Sequence, residues 1–566
     1  MKEIVKTTNI AYITDISWER IFLNLTIESS IDADLKFSLV RSSKVNEEDY
    51  IYDEDIVQYR IIEEHEIKYQ KRDKNTYYFC LNMSTLDGRS FLDNGRWSFV
   101  FRDTYGKLAG VCSMTTAVAY SLAEKDKIYR YGRNGKYSYN VYFTTNCPDG
   151  ETLIPVLNSR FMIMNPNWRN SYKISERKTV KGKFRCLLKK IKLGILNFIY
   201  SFLKMYHKKG KNRILFMTET KPYLWGNLKY INDRLIERGL DEQFVLDYSH
   251  RIAVGNNNNF FSWIKTINKV AKADYVFVDD FVPIFNFLKL DPHTQLIQVW
   301  HAGEGFKSVG YSRFGINGSP RPFGTGHKKY NYAITGSQRL VHIYSEVFGI
   351  PEDVILPLGM ARLDGFLNPK VKRNKIEEVY SKYPQFKNKK IILFSPTFRG
   401  GSQKVAYYDY NQLNYKELYD LCGDEYIWAF KMHPFIKERP RIPKEYRDKL
   451  MDISEYENIN DLYYITDVMV TDYSSAYYEF SLMDKPIVFF TYDREIYELT
   501  RGVHKPIKET APGKVCDTFE EMIETIRKED FDFDKTIQFK KENFGNYEGN
   551  AADKIIDYLL LSKKEK

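Results

Sequence analysis

Beyond residue 212 the chain repeats one pattern: a short apolar run that stops abruptly at a polar residue, then a stretch with helical spacing. RILFMT at 213–218, YVFV at 275–278, LIQVW at 296–300 and YAIT at 332–335 form a first series. KKIILFS at 389–395, YIWAFKM at 426–432, VMVT at 468–471 and PIVFF at 486–490 form a second. Apolar runs without alternation fit strands buried on both faces, and strands separated by helices fit parallel sheets. The two series, joined near 362–388, predict an α/β fold with two Rossmann-like units, 213–370 and 371–566, facing across a cleft. Ligands collect at the C-terminal ends of such strands, so the residues that follow each run are the functional candidates.

Residues 1–172 obey a different period. IFLNLTI, LKFSLV, TYYFCLNM and RWSFVFRD are short alternating runs separated by turn signals, which predicts a β-rich, sandwich-like accessory module. It contains no grouping of His, Cys or paired carboxylates that calls for chemistry. Between the two regimes, residues 177–213 hold many Lys and Arg and no acidic residue. Phe184, Leu187, Leu188, Ile191, Ile195, Phe198, Ile199 and Phe202 recur there at helical spacing, so 175–212 is read as a basic amphipathic helix. Lys189, Lys190 and Lys192, with Lys204, Lys208, Lys209 and Lys211, suit anionic headgroups while the apolar stripe enters a membrane surface. A linker helix packed on the protein with a solvated basic face is the alternative.

Composition narrows the partners. A net charge of +11, from 85 Lys and Arg against 74 Asp and Glu, is compatible with nucleic acid, anionic lipid or a phosphate-rich substrate. No nucleic-acid-binding motif accompanies the basic segment, which disfavours the first. The six cysteines are widely spaced and form neither a zinc pair nor a disulfide framework, fitting a reducing compartment. No signal peptide and no apolar segment of membrane-spanning length is visible, so a protein kept inside the cell is expected.

Several strand ends carry unusual residues. LIQVW runs into His301 and the glycine-containing AGEGFKSVG, which pairs a proton-transfer group with backbone N–H groups able to approach an anion. YIWAFKM delivers Lys431, Met432 and then His433 before a proline. FSPTFRGG presents Thr397 and Arg399, whose guanidinium suits phosphate oxygens. VMVTDYSSAYYEF ends a strand at Asp472, with Ser474 and Ser475 opening a helix as a seat for a diphosphate, and Glu479 one turn further on as an acceptor for ribose hydroxyls. Taken singly, each has an ordinary structural explanation as a turn histidine, a surface arginine or a helix cap.

Taken together, VWHAGEGFKSVG, SPTFRG, FKMHPF, NDLYYITDVMVTDYSS and KPIVFFTYDREIY, in this order, resemble the CDP-glycerol glycerophosphotransferase family of teichoic acid polymerases, nearest its ribitol-phosphate branch. The resemblance covers about 213–560. It implies a GT-B-like pair of domains with the CDP moiety held mainly by the second. Its donor segments fall on Trp300, His301, Ala302, Gly303 and Glu304, on Arg399, on Lys431, Met432 and His433, and on Ser474, Ser475 and Glu479. The family form after the first histidine is more often Gly-Thr-Pro, so this loop lacks one hydroxyl and gains a carboxylate. The implied reaction transfers ribitol phosphate or glycerol phosphate from CDP-ribitol or CDP-glycerol to a lipid-linked glycan acceptor, of the undecaprenyl-diphosphate type, with release of CMP. His301 is expected as general base or orienting group, and His433, Arg399 and the Ser474 and Ser475 N–H groups as diphosphate ligands. The expected place is the cytoplasmic face of a bacterial membrane. No metal ligand set is expected; a divalent cation and a homo-oligomer are left open. A nucleotide-sugar glycosyltransferase of the same fold and a non-catalytic membrane scaffold are the rival readings.

Overall fold

A computed structural model describes residues 7–31, 34–44, 59–71, 73, 75–132, 135–147, 151–163, 180–207, 210, 212–250, 260–301, 308–314, 319–322, 325–400, 405–501, 505–545 and 547–562. The N-terminal region is all strand apart from a few helical turns. Its alternating runs, such as Phe22–Ser29, turn every second residue inward onto Leu25, Phe37, Phe79, Trp97, Phe99 and Tyr139. The expected sandwich is realised as one hydrogen-bonded sheet of eleven strands, rather than two separate sheets. The joint is Gly95–Arg102, which pairs with Lys36–Lys44, Leu108–Met114 and Ile154–Ile163.

The two later series form two six-stranded parallel sheets. The first runs in the order Val245–His250, Arg213–Thr218, Tyr275–Val278, Gln295–Gln298, Tyr332–Ile334, Ile355–Leu356. The second runs Leu450–Asp452, Tyr426–Phe430, Lys390–Phe394, Val468–Thr471, Ile487–Phe490, Lys514–Cys516. Val468–Thr471 and Ile487–Phe490 are buried at every residue, as their unbroken apolar runs require. In each sheet the strand order reverses once: between Arg213–Thr218 and Tyr275–Val278 in the first, and between Lys390–Phe394 and Val468–Thr471 in the second. These reversals open the crevices where open α/β sheets bind ligands.

The connection between the units is a single turn, Ala361–Leu363, followed by the helix Pro369–Lys382, which Asn368 caps by accepting from the Lys370 and Val371 N–H groups. The end of the chain departs from the expected boundary. Residues 551–560 do not stay with the second unit: Ala552, Ile555, Ile556 and Leu559 join Ile214, Phe216, Leu228 and Ile231 in the first unit's core. Arg234 holds Asp553 with two bonds of 3.0 and 3.1 Å, and Arg238 reaches Asp553 and Asp557. The apolar stripe of this last helix matches a face of the helix Gly226–Glu237, and burying it there removes both from water.

The N-terminal sheet is fixed to the first unit. Arg20 donates from Nε to both oxygens of Glu346, which is 1% exposed, and from Nη2 to the Ser312 carbonyl. Lys328 inserts its ammonium between the carbonyls of Ser84 and Arg89, and burial pushes its pKa down to about 7.

The basic segment is a helix over Val180–Tyr206; most of the apolar stripe read from the sequence faces outward, and a second face docks the helix. Leu196 and Tyr200 enter the core of the first unit. Leu188, Ile191, Ile195, Phe198, Phe202 and Met205 lie on the opposite side and stay exposed, Phe198 and Met205 by 74% and 78%. Lys190 is exposed, whereas Lys204 bonds the Lys289 carbonyl and lies over the Tyr200 ring. The side chains of Phe184 and Lys189, together with Lys208, Lys209 and Lys211, fall outside the described residues. Among the described residues no helix is long and apolar enough to cross a membrane.

Candidate active site at the strand ends

The strand Gln295–Gln298 leads through Val299 and Trp300 to His301. Trp300 has φ 48°, in the left-handed region that costs a non-glycine residue about 1–3 kcal/mol. Its neighbours compensate. The Trp300 N–H donates to Gln298 Oε1, and the Asn227 amide donates to both the Val299 and Trp300 carbonyls. This bend turns the chain so that the half-buried His301 ring lies against the Trp300 ring, centroids 4.6 Å apart.

His301 Nδ1 lies 3.0 Å from the Asp279 carbonyl oxygen. A carbonyl only accepts, so Nδ1 carries the proton and Nε2 presents a lone pair, the tautomer of a general base. Asp279 ends the strand Tyr275–Val278 at the order reversal of the first sheet and is 2% exposed. Its Oδ2 accepts from Thr218 Oγ1, while Oδ1 is buried with no partner. Burial raises its carboxyl to about pH 6, against the opposing pull of Thr218 and His301. Asp279 was not among the sequence candidates, although the strand-end rule that selected His301 applies equally to YVFVDD.

In the second unit, His433 follows Tyr426–Phe430 by three residues and packs between Phe398 and Phe435. Here the ring is held the other way round. The Phe435 N–H donates to His433 Nδ1, which leaves the proton on Nε2, so this imidazole is a hydrogen-bond donor. Lys431 is 5% exposed with its ammonium on the Ser454 carbonyl, and burial brings its pKa down to about 8. Met432 is fully buried and its N–H donates to Ser454 Oγ, so only backbone is available from it.

Three expectations change. Arg399 was read as a phosphate ligand; instead it is buried and donates to Asp493 twice, to Asp472 and to the Thr397 carbonyl. With the guanidinium committed to two carboxylates, its role is to lock the loops after Lys390–Phe394 and Val468–Thr471 together; Thr397 N–H also donates to Asp472. Glu479 was read as a ribose acceptor; its carboxylate is buried against Arg362 of the inter-unit turn, and burial raises its pKa. The helix after Ser474 and Ser475 spans only Ala476–Phe480, too short for a macrodipole of consequence, and Ser474 Oγ accepts from Ala476 N–H. Both serines remain half-buried at the second sheet's order reversal. Ala302, Gly303 and Glu304 lie outside the described residues.

Two further residues, unread in the sequence, tie the units together. Arg362 joins Glu479 across the junction, and its N–H donates to Asn227 Oδ1, the same amide that holds the His301 loop. Among the described residues the one His, Asp and Glu grouping tight enough for a cation is Glu63, His65 and Asp87, in the N-terminal sheet and not at either set of strand ends.

This architecture has known counterparts. A family model described as CDP-Glycerol:Poly(glycerophosphate) glycerophosphotransferase matches residues 199–561. The teichoic acid ribitol-phosphate polymerase TarK of Staphylococcus aureus is 28% identical over 521 residues, covering 87% of this chain and 99% of that protein. TarL of the same organism, also a teichoic acid ribitol-phosphate polymerase, is 27% identical and covers 97% and 99%. The solved structure of the wall teichoic acid polymerase TagF superposes with a TM-score of 0.51 at 19% identity, over 68% of this chain and 99% of that one, a likeness of fold. The chain belongs to the CDP-glycerol:poly(glycerophosphate) glycerophosphotransferase family.

Proposed function

We propose that this protein is a teichoic acid polyolphosphate polymerase that uses a CDP-polyol donor, with the two parallel sheets acting as a GT-B-like pair around the reacting groups. The observation that carries the reading is the pair of strand-end histidines with opposite tautomers, one a base and one a donor. A terminal polyol hydroxyl of the acceptor attacks the β-phosphorus of the donor. The new P–O bond forms as the bond to the CMP oxygen breaks; CMP leaves with the electron pair, and the hydroxyl proton passes to His301 Nε2. His433 Nε2–H and the backbone at Ser474 and Ser475 hold diphosphate oxygens on which charge accumulates. Lys431 and Arg399 act behind them, by shaping the loops. CMP is a good leaving group, so positioning and charge stabilisation supply most of the acceleration.

Ribitol phosphate is the favoured unit. Two ribitol-phosphate polymerases align along 87% and 97% of the chain, a third along 67% and a ribitol-phosphate primase along 58%, whereas relatives named for glycerol phosphate align over 41% to 54% of it. Incubation with CDP-ribitol and CDP-glycerol separately, reading CMP release and product mass, tests both statements. Polymer growth with CMP release from CDP-ribitol is expected; transfer from a UDP-sugar with no CMP-dependent product would support a glycosyltransferase instead.

The helix Val180–Tyr206 is the membrane-surface element in this reading, working at the inner face where a lipid-linked acceptor is presented. Its outward stripe of Leu188, Ile191, Ile195, Phe198, Phe202 and Met205 would be buried in the headgroup boundary, with Lys190 beside it. Replacing Phe198, Phe202 and Met205 by Ser is expected to release the protein from anionic vesicles without lowering its melting temperature; unchanged co-sedimentation would refute this placement.

A further inference from the structure

We propose that the cavity between the two α/β units, at the start of the helix Gly226–Glu237, is the subsite that holds the acceptor polymer's phosphodiester-linked polyol unit next to the reacting hydroxyl. This rests on the reading of the chain as a polyolphosphate transferase and names where its second substrate lies. The cavity has a volume of about 420 Å³, within the range of roughly 300–1,000 Å³ typical of ligand clefts. Its walls come from the first unit (Lys221, Trp225 and Tyr230), the inter-unit turn (Arg362) and the second unit (Glu457 and Tyr464). The Tyr223 hydroxyl donates to Glu457 across the junction, 2.8 Å away.

The lining suits a polyol carrying one negative charge per unit. Flat aromatic faces accept the carbon backbone of a polyol, and cations spaced along a wall accept successive phosphodiesters. Lys221 lies 5.8 Å from the Trp225 ring centre and makes no ion pair among the described residues. Arg362 Nε is buried without an acceptor, while its Nη2 is paired with Glu479. Lys229 and Lys375, also on the wall, hold Asp233 and Glu378 through partly exposed pairs, and Lys375 also reaches the buried Asp461 at 3.4 Å. The two exposed pairs contribute at most about 1 kcal/mol each and exchange readily for a phosphate. A row of separate cations fits a linear polyanion better than a compact diphosphate.

The cavity also shares a frame with His301. Trp225 Nε1 donates to Thr220 Oγ1, Thr220 and Thr218 hydroxyls meet at 3.1 Å, and Thr218 donates to Asp279, whose carbonyl holds His301 Nδ1. Asn227, the second residue of the helix, bonds the Trp300 carbonyl on one side and the Arg362 N–H on the other. A polymer seated against Trp225 is therefore fixed relative to the base that takes its terminal proton.

The test uses the full chain and a short soluble oligomer of phosphodiester-linked ribitol. Lys221→Ala, Trp225→Ala and the milder Trp225→Phe are compared with the unaltered protein for oligomer binding by calorimetry, and for acceptor and CDP-polyol KM by CMP release. Melting temperatures identify any variant that fails to fold. Lys221→Ala and Trp225→Ala are expected to weaken oligomer binding and raise acceptor KM about tenfold, with CDP-polyol KM changed less than about twofold. A rise in CDP-polyol KM with acceptor KM intact would assign the cavity to the donor and overturn the proposal, as would oligomer binding that is absent in the unaltered protein or unchanged in the variants. If the unaltered protein binds the oligomer at this cavity yet releases no CMP from any CDP-polyol, the transferase reading fails while the polyanion subsite stands.

Discussion

The two parallel sheets each finish a strand with a histidine, yet the rings are held by opposite partners. His301 gives its Nδ1 proton to a carbonyl from the neighbouring strand end, whereas His433 receives an N–H from its own turn two residues on. Equivalent topology thus delivers non-equivalent chemistry, a lone pair from one unit and a proton from the other. The surroundings diverge in the same sense. His301 sits by a buried carboxyl with one oxygen unpartnered, while His433 lies next to a loop locked by Arg399, Asp472 and Asp493. The first arrangement is suited to receiving charge during the reaction, the second to staying rigid.

The sharpest way to break this comparison is to remove each ring. His301→Ala is expected to lower kcat by about 10²–10⁴-fold with CDP-polyol KM little changed, since the lost group acts on the acceptor proton. His433→Ala is expected to raise CDP-polyol KM as well as lower kcat. Equal effects from both substitutions in steady-state CMP release would erase the division of roles.

Next in size is the lock. Arg399→Met leaves Asp472, 1% exposed, and Asp493 without their cation, which is expected to cost about 3–5 kcal/mol of stability in chemical denaturation. A variant of normal stability would show that Arg399 is free to serve a ligand after all.

The smallest effect concerns Asp279. Its folded-state pKa, about 6, lies above the ordinary carboxyl value of 3.8 because of burial. A proton is thus bound more tightly in the folded state, and the stability this gives is fully present below pH 3.8 and lost as pH rises through about 6. Asp279→Asn, which stays neutral, is therefore expected to gain in melting temperature relative to the unaltered protein between pH 4 and pH 7. A difference that does not vary with pH would mean that Asp279 is not buried as an acid.

The strands of both sheets were legible because burial on two faces leaves an unbroken apolar run, and the strand-end rule then pointed to His301, His433, Arg399 and the Ser474–Ser475 turn. What those side chains do was less legible. Arg399 is paired by Asp493, 94 positions away, and Glu479 by Arg362, 117 away, and no local pattern announces such partners. The return of residues 551–560 to the first unit is hidden for the same reason: an amphipathic helix declares that it packs, not on what. The helix Val180–Tyr206 shows a related limit: its longer apolar stripe was legible and lies outward, whereas the face of Leu196 and Tyr200 that docks it on the first unit was not. The tautomers of the two histidines depend on which backbone group each ring meets, and only the three-dimensional arrangement of the turns supplies that.

The central claim is that His301 presents a lone pair at Nε2 and His433 a proton. Nitrogen-15 NMR of the histidine-labelled protein near neutral pH, with His301→Ala and His433→Ala used for assignment, reads this directly. The account requires a protonated Nδ1 and an unprotonated Nε2 at His301, and the reverse at His433. Finding both rings in the same tautomer, or the His301 proton on Nε2, would contradict it.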